Sequence, residues 1–522
     1  MDNDYLAADH QLPSSTTPPL HLLIIFFFLA AAAGTKILIK RKTSNSSTQQ
    51  LPPGPWKLPI IGNLHQLLGA QPPHRRLMDL ARKHGPLMHL QLGETSNVVV
   101  SSPELAKEIL KTHDLNFANR PLYPVARILS YDARDMAFAP YGDYFRHIRK
   151  VTSEELLGRR RVKSLRPVME AEIADLVTAL RNSKSYQGVV VNLCRMLDAL
   201  GNTLICRVAF GKMTPKQQEA FLPLKEEMVK AYGGFGLGNF FPSSKLIRLL
   251  SGTERAATKL HKEMDAMLES IVGEHMATRK ARSDDLLDVL LNLMEEEEKN
   301  QELGFSITIV EIKAIILDVI LSGSDTSTGT VAWVMSELMR HPRVMEKAQG
   351  EVRQTFDAKG MPIDEAGIEE LNYLKAVVKE TFRLRPITPL LVPRECREAV
   401  VVGGYQIPEK TRVMVNSLAI GQDSRYWTDP EKFSPERFVD LPEIDHRGTC
   451  FEFLPFGAGR RMCPGMTFGS TVIELLLANL LYHFDWQLPD GIEPRDVDMS
   501  EKFGLALRKE HDLHLIPIPY YP

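Results

Sequence analysis

The stretch Phe453-Leu-Pro-Phe-Gly-Ala-Gly-Arg-Arg-Met-Cys-Pro-Gly465 constrains this chain more than any other. One cysteine, Cys463, sits in a glycine-rich loop, with Arg461 two residues before it. Pro464 follows, and then an apolar run from Met466 to Phe484. Proline suits the first turn of a helix, where its missing N–H costs nothing. Cys463 is therefore expected at the mouth of a helix, with free backbone N–H groups near its sulfur. That setting lowers a thiol pKa and holds a thiolate. The following run is apolar nearly all round, as in a buried helix. A thiolate at the edge of a core, with no second cysteine near, suits a metal better than a redox pair. Gly457, Gly459 and Gly465 would let a flat, bulky ligand approach the backbone. The plainer alternative is a helix entry with an incidental buried cysteine.

A second stretch breaks a local rule. Thr308-Ile-Val-Glu311 is a capping box ahead of an apolar-periodic run that ends at His341-Pro342. Such a helix would be roughly 48 Å long at 1.5 Å per residue, enough to cross a domain. At its centre lies Ser322-Gly-Ser-Asp-Thr326, all residues of low helix propensity. Hydroxyls and small residues can open a groove by bonding back to the preceding turn. Further on, Glu380 and Arg383 stand three apart on one helical face, by composition a common surface pair.

With 522 residues the chain can bury a large core. A formal net charge of −2 and 25% charged residues argue against nucleic-acid binding. Five dispersed cysteines, with no CxxC pair, favour reduced thiols and a domain facing the cytosol. Leu20 to Ile39 is almost wholly apolar, and about 20 helical residues span a bilayer. Asp2, Asp4 and Asp9 precede it and Lys40-Arg41-Lys42 follow. That asymmetry predicts an uncleaved anchor rather than a signal peptide, with residues 1–19 a short lumenal tail. Residues 40–58 read as a basic and polar linker with a stiff proline-rich hinge, Leu51-Pro-Pro-Gly-Pro55. Residues 59–522 read as one catalytic domain.

Phe456, Gly459, Arg461, Cys463 and Gly465 fill the pattern FxxGxRxCxG. With it the chain resembles the haem-thiolate monooxygenases, the cytochrome P-450 superfamily. Within them it resembles plant microsomal A-type members, notably terpenoid hydroxylases. The resemblance implies a mainly α fold with small β-sheets, a haem-thiolate monooxygenase fold carrying an N-terminal transmembrane helix. It implies haem b (iron protoporphyrin IX), with Cys463 as the axial iron ligand and Phe456 beside the sulfur. A thiolate ligand favours cleavage of the dioxygen O–O bond. Arg461, Arg394, Arg149 and Arg120 become partners for the two haem propionates, as bidentate guanidinium pairing allows. Arg149 ends a WxxxR-like helix in which Phe145 replaces tryptophan and its indole N–H.

The same resemblance assigns the central cluster. Gly323 would face the haem and leave room for dioxygen. Thr326 would pass protons and Asp325 recharge that relay, a task suited to a hydroxyl beside a carboxylate. Ser322, where alanine is usual, adds a hydroxyl nearby. Glu380 and Arg383 would form a buried structural triad with Arg437 of Pro435-Glu-Arg-Phe438. Ser322, Ile387, Leu391 and Leu505 are substrate-cavity candidates, joined by Leu390 and Leu507. Leu418 stands where plant members often have tryptophan. Phe235 to Phe241 fits a mobile lid that dips into membrane. Arg159-Arg-Arg161 is a solvated face or part of a reductase-docking surface.

The implied partners are an NADPH-dependent flavoprotein reductase, which brings NADPH and flavins, membrane lipid, a small apolar substrate and dioxygen. The implied location is the endoplasmic reticulum membrane, single-pass, with a cytosolic catalytic domain. A terpenoid suits the aliphatic wall; an alkaloid, phenolic or aldoxime stays open. The rivals in other classes are a haem-thiolate isomerase or dehydratase, and a non-catalytic haem-binding protein.

Overall fold

The computed structural model describes residues 50–182, 188–233, 236–278, 285–299, 307–357 and 363–522. The expected tail, the anchor over 20–39 and most of the linker lie outside these residues, as does Phe235. Among the described residues no helix is long and apolar enough to cross a membrane. Helices dominate and the sheets are small, in agreement with the expected class.

The largest sheet orders its strands as Leu87–Leu92, Thr95–Val100, Arg412–Val415 and Arg394–Glu395. The first two form a hairpin with Leu87 opposite Val100, and the third runs parallel to the second. Side chains alternate between faces along a strand. Accordingly Val98, Val100, Val413 and Val415 share one apolar cluster. Val99 and Met414 share another, on the opposite face, with Phe240 and Leu390. The proline-rich segment is tied to this sheet. The His89 N–H donates to Pro53 O (2.8 Å), and Asn63 Nδ2 donates to Pro55 O (3.1 Å) and Trp56 O (2.9 Å).

The capping box forms at Thr308 and Glu311 as expected. The single long helix does not. It is divided at Ser324 into Ile309–Gly323 and Asp325–Arg340. Hydroxyls cause the break locally: Ser322 Oγ donates to Asp318 O and Thr326 Oγ1 to Ser322 O, both at 2.7 Å. The second half packs against Leu193–Phe210 and against the C-terminal helix Met466–His483. Trp333 is fully buried there, its Nε1 donating to Leu507 O (3.0 Å). Met466–His483 starts after Pro464-Gly465, with no side-chain cap. Cys463 thus lies three residues ahead of the helix, in a loop closed by its own N–H to Phe456 O (3.0 Å).

Candidate active site

A cavity of about 270 Å³ separates the divided helix from the Cys463 loop. Cys463, Phe456, Gly457 and Gly465 line one side; Ser322, Gly323 and Thr326 line the other. The Cys463 sulfur lies deep in the protein, and the surface it exposes belongs to this slot. Burial pushes its thiol up, while the Gly465 N–H and the Arg149 charge pull it down without prevailing. The helix-entry N–H acts in the expected direction, but desolvation of the sulfur outweighs it. Phe456 is braced by Phe382 and His446, with ring centroids at 5.4 and 5.3 Å.

All four predicted arginines reach the slot. Arg149 Nη1 donates to Met462 O (2.6 Å), beside the cysteine. Arg461 is held by the carbonyls of Ala118, Met136 and Ala139, and its guanidinium stacks 3.8 Å from the Phe145 ring centroid. Arg120 donates to the carbonyls of Val392 and Pro393, yet its buried Nε has no partner. Burial, then repulsion from Arg461 and Arg394, presses Arg120 toward its neutral form. Arg394 differs from expectation. Asp114, which belongs to no motif, accepts from its Nη1 at 2.8 Å, and Ala458 O accepts from Nη2 at 2.6 Å. Asp114 also accepts from the Arg460 N–H (2.9 Å), so it ties the Cys463 loop down. Gly459 is required at this point. Its φ is +70°, and a Cβ would strike Leu110 O and come within 2.8 Å of Asp114 Oδ1.

The expected triad is assembled behind the loop. Arg383 makes a bidentate pair with Glu380 (2.7 and 2.8 Å), and Arg437 Nε donates to the same carboxylate at 3.0 Å. Glu380 and Arg383 are fully buried, so this is no surface pair.

The divided helix places its residues less simply. Thr326 borders the slot, as expected. Gly323 borders it too, but a Cβ there would meet Ile205 Cδ1 at 2.7 Å. Its smallness admits Ile205 rather than clearing space at the slot. The Asp325 carboxylate makes no hydrogen bond with the Thr326 hydroxyl, which donates to Ser322 O. The carboxylate accepts from Ser324 Oγ (3.0 Å) and Lys225 Nζ (2.7 Å), and pairs with Arg508 Nη2 (2.5 Å). Burial pushes Asp325 up, and Lys225 and Arg508 more than reverse it, so it stays ionised. Sequence reading missed both cations, which lie far away in the chain and have no motif of their own.

Comparison with known proteins decides the family. A sequence profile described as cytochrome P450 matches residues 52–515. The chain belongs to the cytochrome P450 family. This P450 is 47% identical to premnaspirodiene oxygenase of Hyoscyamus muticus, over 91% of this chain and 95% of the relative. It is also 47% identical to desmethyl-deoxy-podophyllotoxin synthase of Sinopodophyllum hexandrum, over 90% and 92%. A zebra fish cytochrome P450 solved with abiraterone shares the fold at a TM-score of 0.72 and 24% identity, covering 87% of this chain and all of that one. The P450 is an oxidoreductase of the monooxygenase class, of the plant A-type, and haem b is the cofactor its family implies.

A second cavity of about 330 Å³ adjoins the slot and shares Asp318, Ser322, Thr326 and Leu391 with it. Leu390 and Leu505 line this outer cavity as expected. Ile387 does not; it lines the slot, because the chain turns at Pro386–Pro389. Leu507 is buried in the core instead, its N–H bonded to Ile387 O (2.7 Å). Leu418 is buried, and nothing in the structure explains its identity. Two buried acids in the outer cavity were not foreseen. Burial pushes both Asp135 and Asp318 up, and the Asp318 charge raises Asp135 further; Asp318 rises to about 6 although the Ala137 and Met136 N–H groups and the charges of Arg120 and Arg461 pull it down.

Proposed function

We propose that this P450 is a membrane-anchored monooxygenase that inserts one atom of dioxygen into a small apolar plant terpenoid, a sesquiterpene or diterpene. The observation that carries the reading is a cysteine sulfur opening into a slot rimmed by arginines, beneath a second, mostly apolar cavity. The slot's residues fit the haem. Arg120, Arg461 and Arg394 repel one another, and a buried Nε of Arg120 lacks an acceptor, as a site for two propionates would leave it. Cys463 would ligate the iron, with Phe456 packed beside it, and Arg120, Arg149, Arg394 and Arg461 would hold the propionates. Arg394 would do so from the side not taken by Asp114.

When bound, haem supplies dioxygen activation. The chain's own residues supply the rest. Ser322, Leu391 and Leu505 place the hydrocarbon against the slot. Thr326 Oγ1 stands at the junction of the two cavities, where it would donate a proton. Asp325 holds its charge at the outer cavity wall, linked through half-exposed Arg508 toward solvent. Water would bridge the Asp325 carboxylate to the Thr326 hydroxyl, which make no direct hydrogen bond. Glu380, Arg383 and Arg437 keep the Cys463 loop in place without chemical contact.

Electrons would come from NADPH through a flavoprotein reductase, for which exposed Arg159 and Arg160 offer a basic surface. Residues 20–39 would anchor the chain in the endoplasmic reticulum membrane with the catalytic domain cytosolic. Exposed Leu246, Leu249 and Leu250 on Lys245–Ser251 support contact of that helix with lipid. A phenolic substrate is the second reading, favoured by the relative named for a podophyllotoxin at equal identity. The deciding experiment expresses the full chain with a plant reductase. NADPH use matched to oxygenated terpenoid supports the proposal; turnover without NADPH would favour an isomerase. Cys463→Ser should abolish the thiolate-type band of the reduced carbonyl complex, and an unchanged band would sink the ligand assignment.

A further inference from the structure

The outer cavity is not uniformly apolar. Arg412 and Asn97 are register partners on neighbouring parallel strands, so their side chains fall on one face, that of Val99 and Met414. That face is the cavity wall, and Arg412, Asn97 and Met414 all line it. The Arg412 guanidinium donates from Nη1 to Asn239 O (3.0 Å) and has no ion-pair partner among the described residues. The carboxylate whose charge acts on it, Glu395, lies 3.8 Å from Lys410 Nζ. Tyr123 lines the same cavity within reach of the Arg412 charge, and its hydroxyl has no hydrogen-bond partner among the described residues. Burial pushes the phenol up to about 12, with the Arg412 charge drawing it down and the Asp135 charge raising it, so it remains a protonated donor. Asn97 adds no donor, since its Nδ2 is used on Thr95 O and Oγ1.

Arg412 keeps donors beyond the one given to Asn239 O, and the Tyr123 hydroxyl donates to none of the described residues; such spare donors are costly in an apolar cavity unless a ligand supplies an acceptor. None of Arg412, Tyr123 and Asn97 borders the slot, whereas Ser322, Thr326 and Leu391 border both spaces. The donors therefore stand at the end of the cavity away from the reaction. We infer that Tyr123 and Arg412 form an anchor for an accepting oxygen, a carbonyl or carboxylate, already present on the substrate. The substrate is then an oxygenated terpenoid rather than a bare hydrocarbon, and the new oxygen enters at a carbon remote from the existing one. This rests on the cavity assignment above and sharpens it. It also places the reaction after an earlier oxidation of the same skeleton.

The test uses flexible ligands, so that ring shape does not decide the result: decane, 2-decanone and decanoic acid. Calorimetry on the haem-loaded full chain measures binding to wild type, Tyr123→Phe and Arg412→Gln. Wild type should bind the ketone and the acid about 10-fold more tightly than decane. Tyr123→Phe should cut that advantage roughly 3- to 10-fold, and Arg412→Gln should remove the acid's advantage altogether. Equal affinities for all three in wild type, or an advantage that survives both substitutions, overturns the anchor. If Arg412→Gln loses its fold through the Asn239 contact, Tyr123→Phe decides alone, because it deletes a hydroxyl that holds nothing. A wild type that binds as expected but lacks the thiolate-type carbonyl band supports the anchor and overturns the haem assignment separately.

Discussion

Asp325→Asn should destabilise the folded protein by about 3 kcal/mol at pH 7, through a cation it leaves behind. The Lys225 side chain is 2% exposed and that of Asp325 is 6% exposed, so the pair is buried. Removing one member of a buried pair costs on the order of 3–5 kcal/mol, because the other charge stays desolvated. The Arg508 side chain is 42% exposed, and water screens most of its share. Lys225 keeps one acceptor, Asn202 Oδ1 at 2.7 Å, which also softens the loss. Both considerations favour the lower end of the range. For a chain of 522 residues the unfolding entropy is about 1.1 kcal/mol per kelvin, so the midpoint should fall by roughly 3 °C.

The pH dependence fixes the sign. Asp325 has a lowered folded pKa, so its contribution is present above the ordinary carboxylate range. It is lost as pH falls through the folded value. The gap between wild type and variant should therefore close in acid. The assay is calorimetric unfolding of the haem-loaded protein at several pH values, with Lys225→Met and the double variant. Replacing both partners removes the stranded charge, so the double variant should be more stable than Asp325→Asn. A midpoint unchanged within half a degree, or a double variant whose losses simply add, would refute the stranded-cation argument.

Thr326→Ala should shift NADPH consumption from product toward hydrogen peroxide, read by a peroxidase-coupled assay; full coupling would count against proton donation by that hydroxyl. Phe145→Trp should slow haem loss to a scavenger protein by a few-fold, since indole offers Arg461 the stronger cation-binding face and adds an N–H. Gly459→Ala should yield protein with little haem, measured by the Soret-to-protein absorbance ratio, because the left-handed φ and the blocked Cβ displace the loop. Asp318 carries a raised pKa of about 6, so stability should rise as pH falls from 7 toward 4; in Asp318→Asn, thermal midpoints should lose that rise.

The motifs around Cys463, Ser322–Thr326, Glu380 and Arg437 were legible because each rests on local geometry: a left-handed glycine, a hydroxyl reaching its own helix, a carboxylate one turn from a guanidinium. The helix start read from the capping box agreed at Thr308, whereas the helix after Cys463 starts at Met466, past the proline expected in its first turn. The break at Ser324 was visible as a run of weak helix formers, though its consequence, two helices in place of one, was not. The sequence by itself thus determined the fold class, the family and the side chains that could meet a haem. Tertiary structure alone decided what each charge faces. Asp325 is turned to Lys225 and Arg508, Arg394 is held by Asp114, and Arg412 has no ion-pair partner among the described residues. These pairings join residues up to 280 positions apart. Burial and electrostatics act through space, and no local pattern in a chain encodes which distant charge will arrive or fail to arrive.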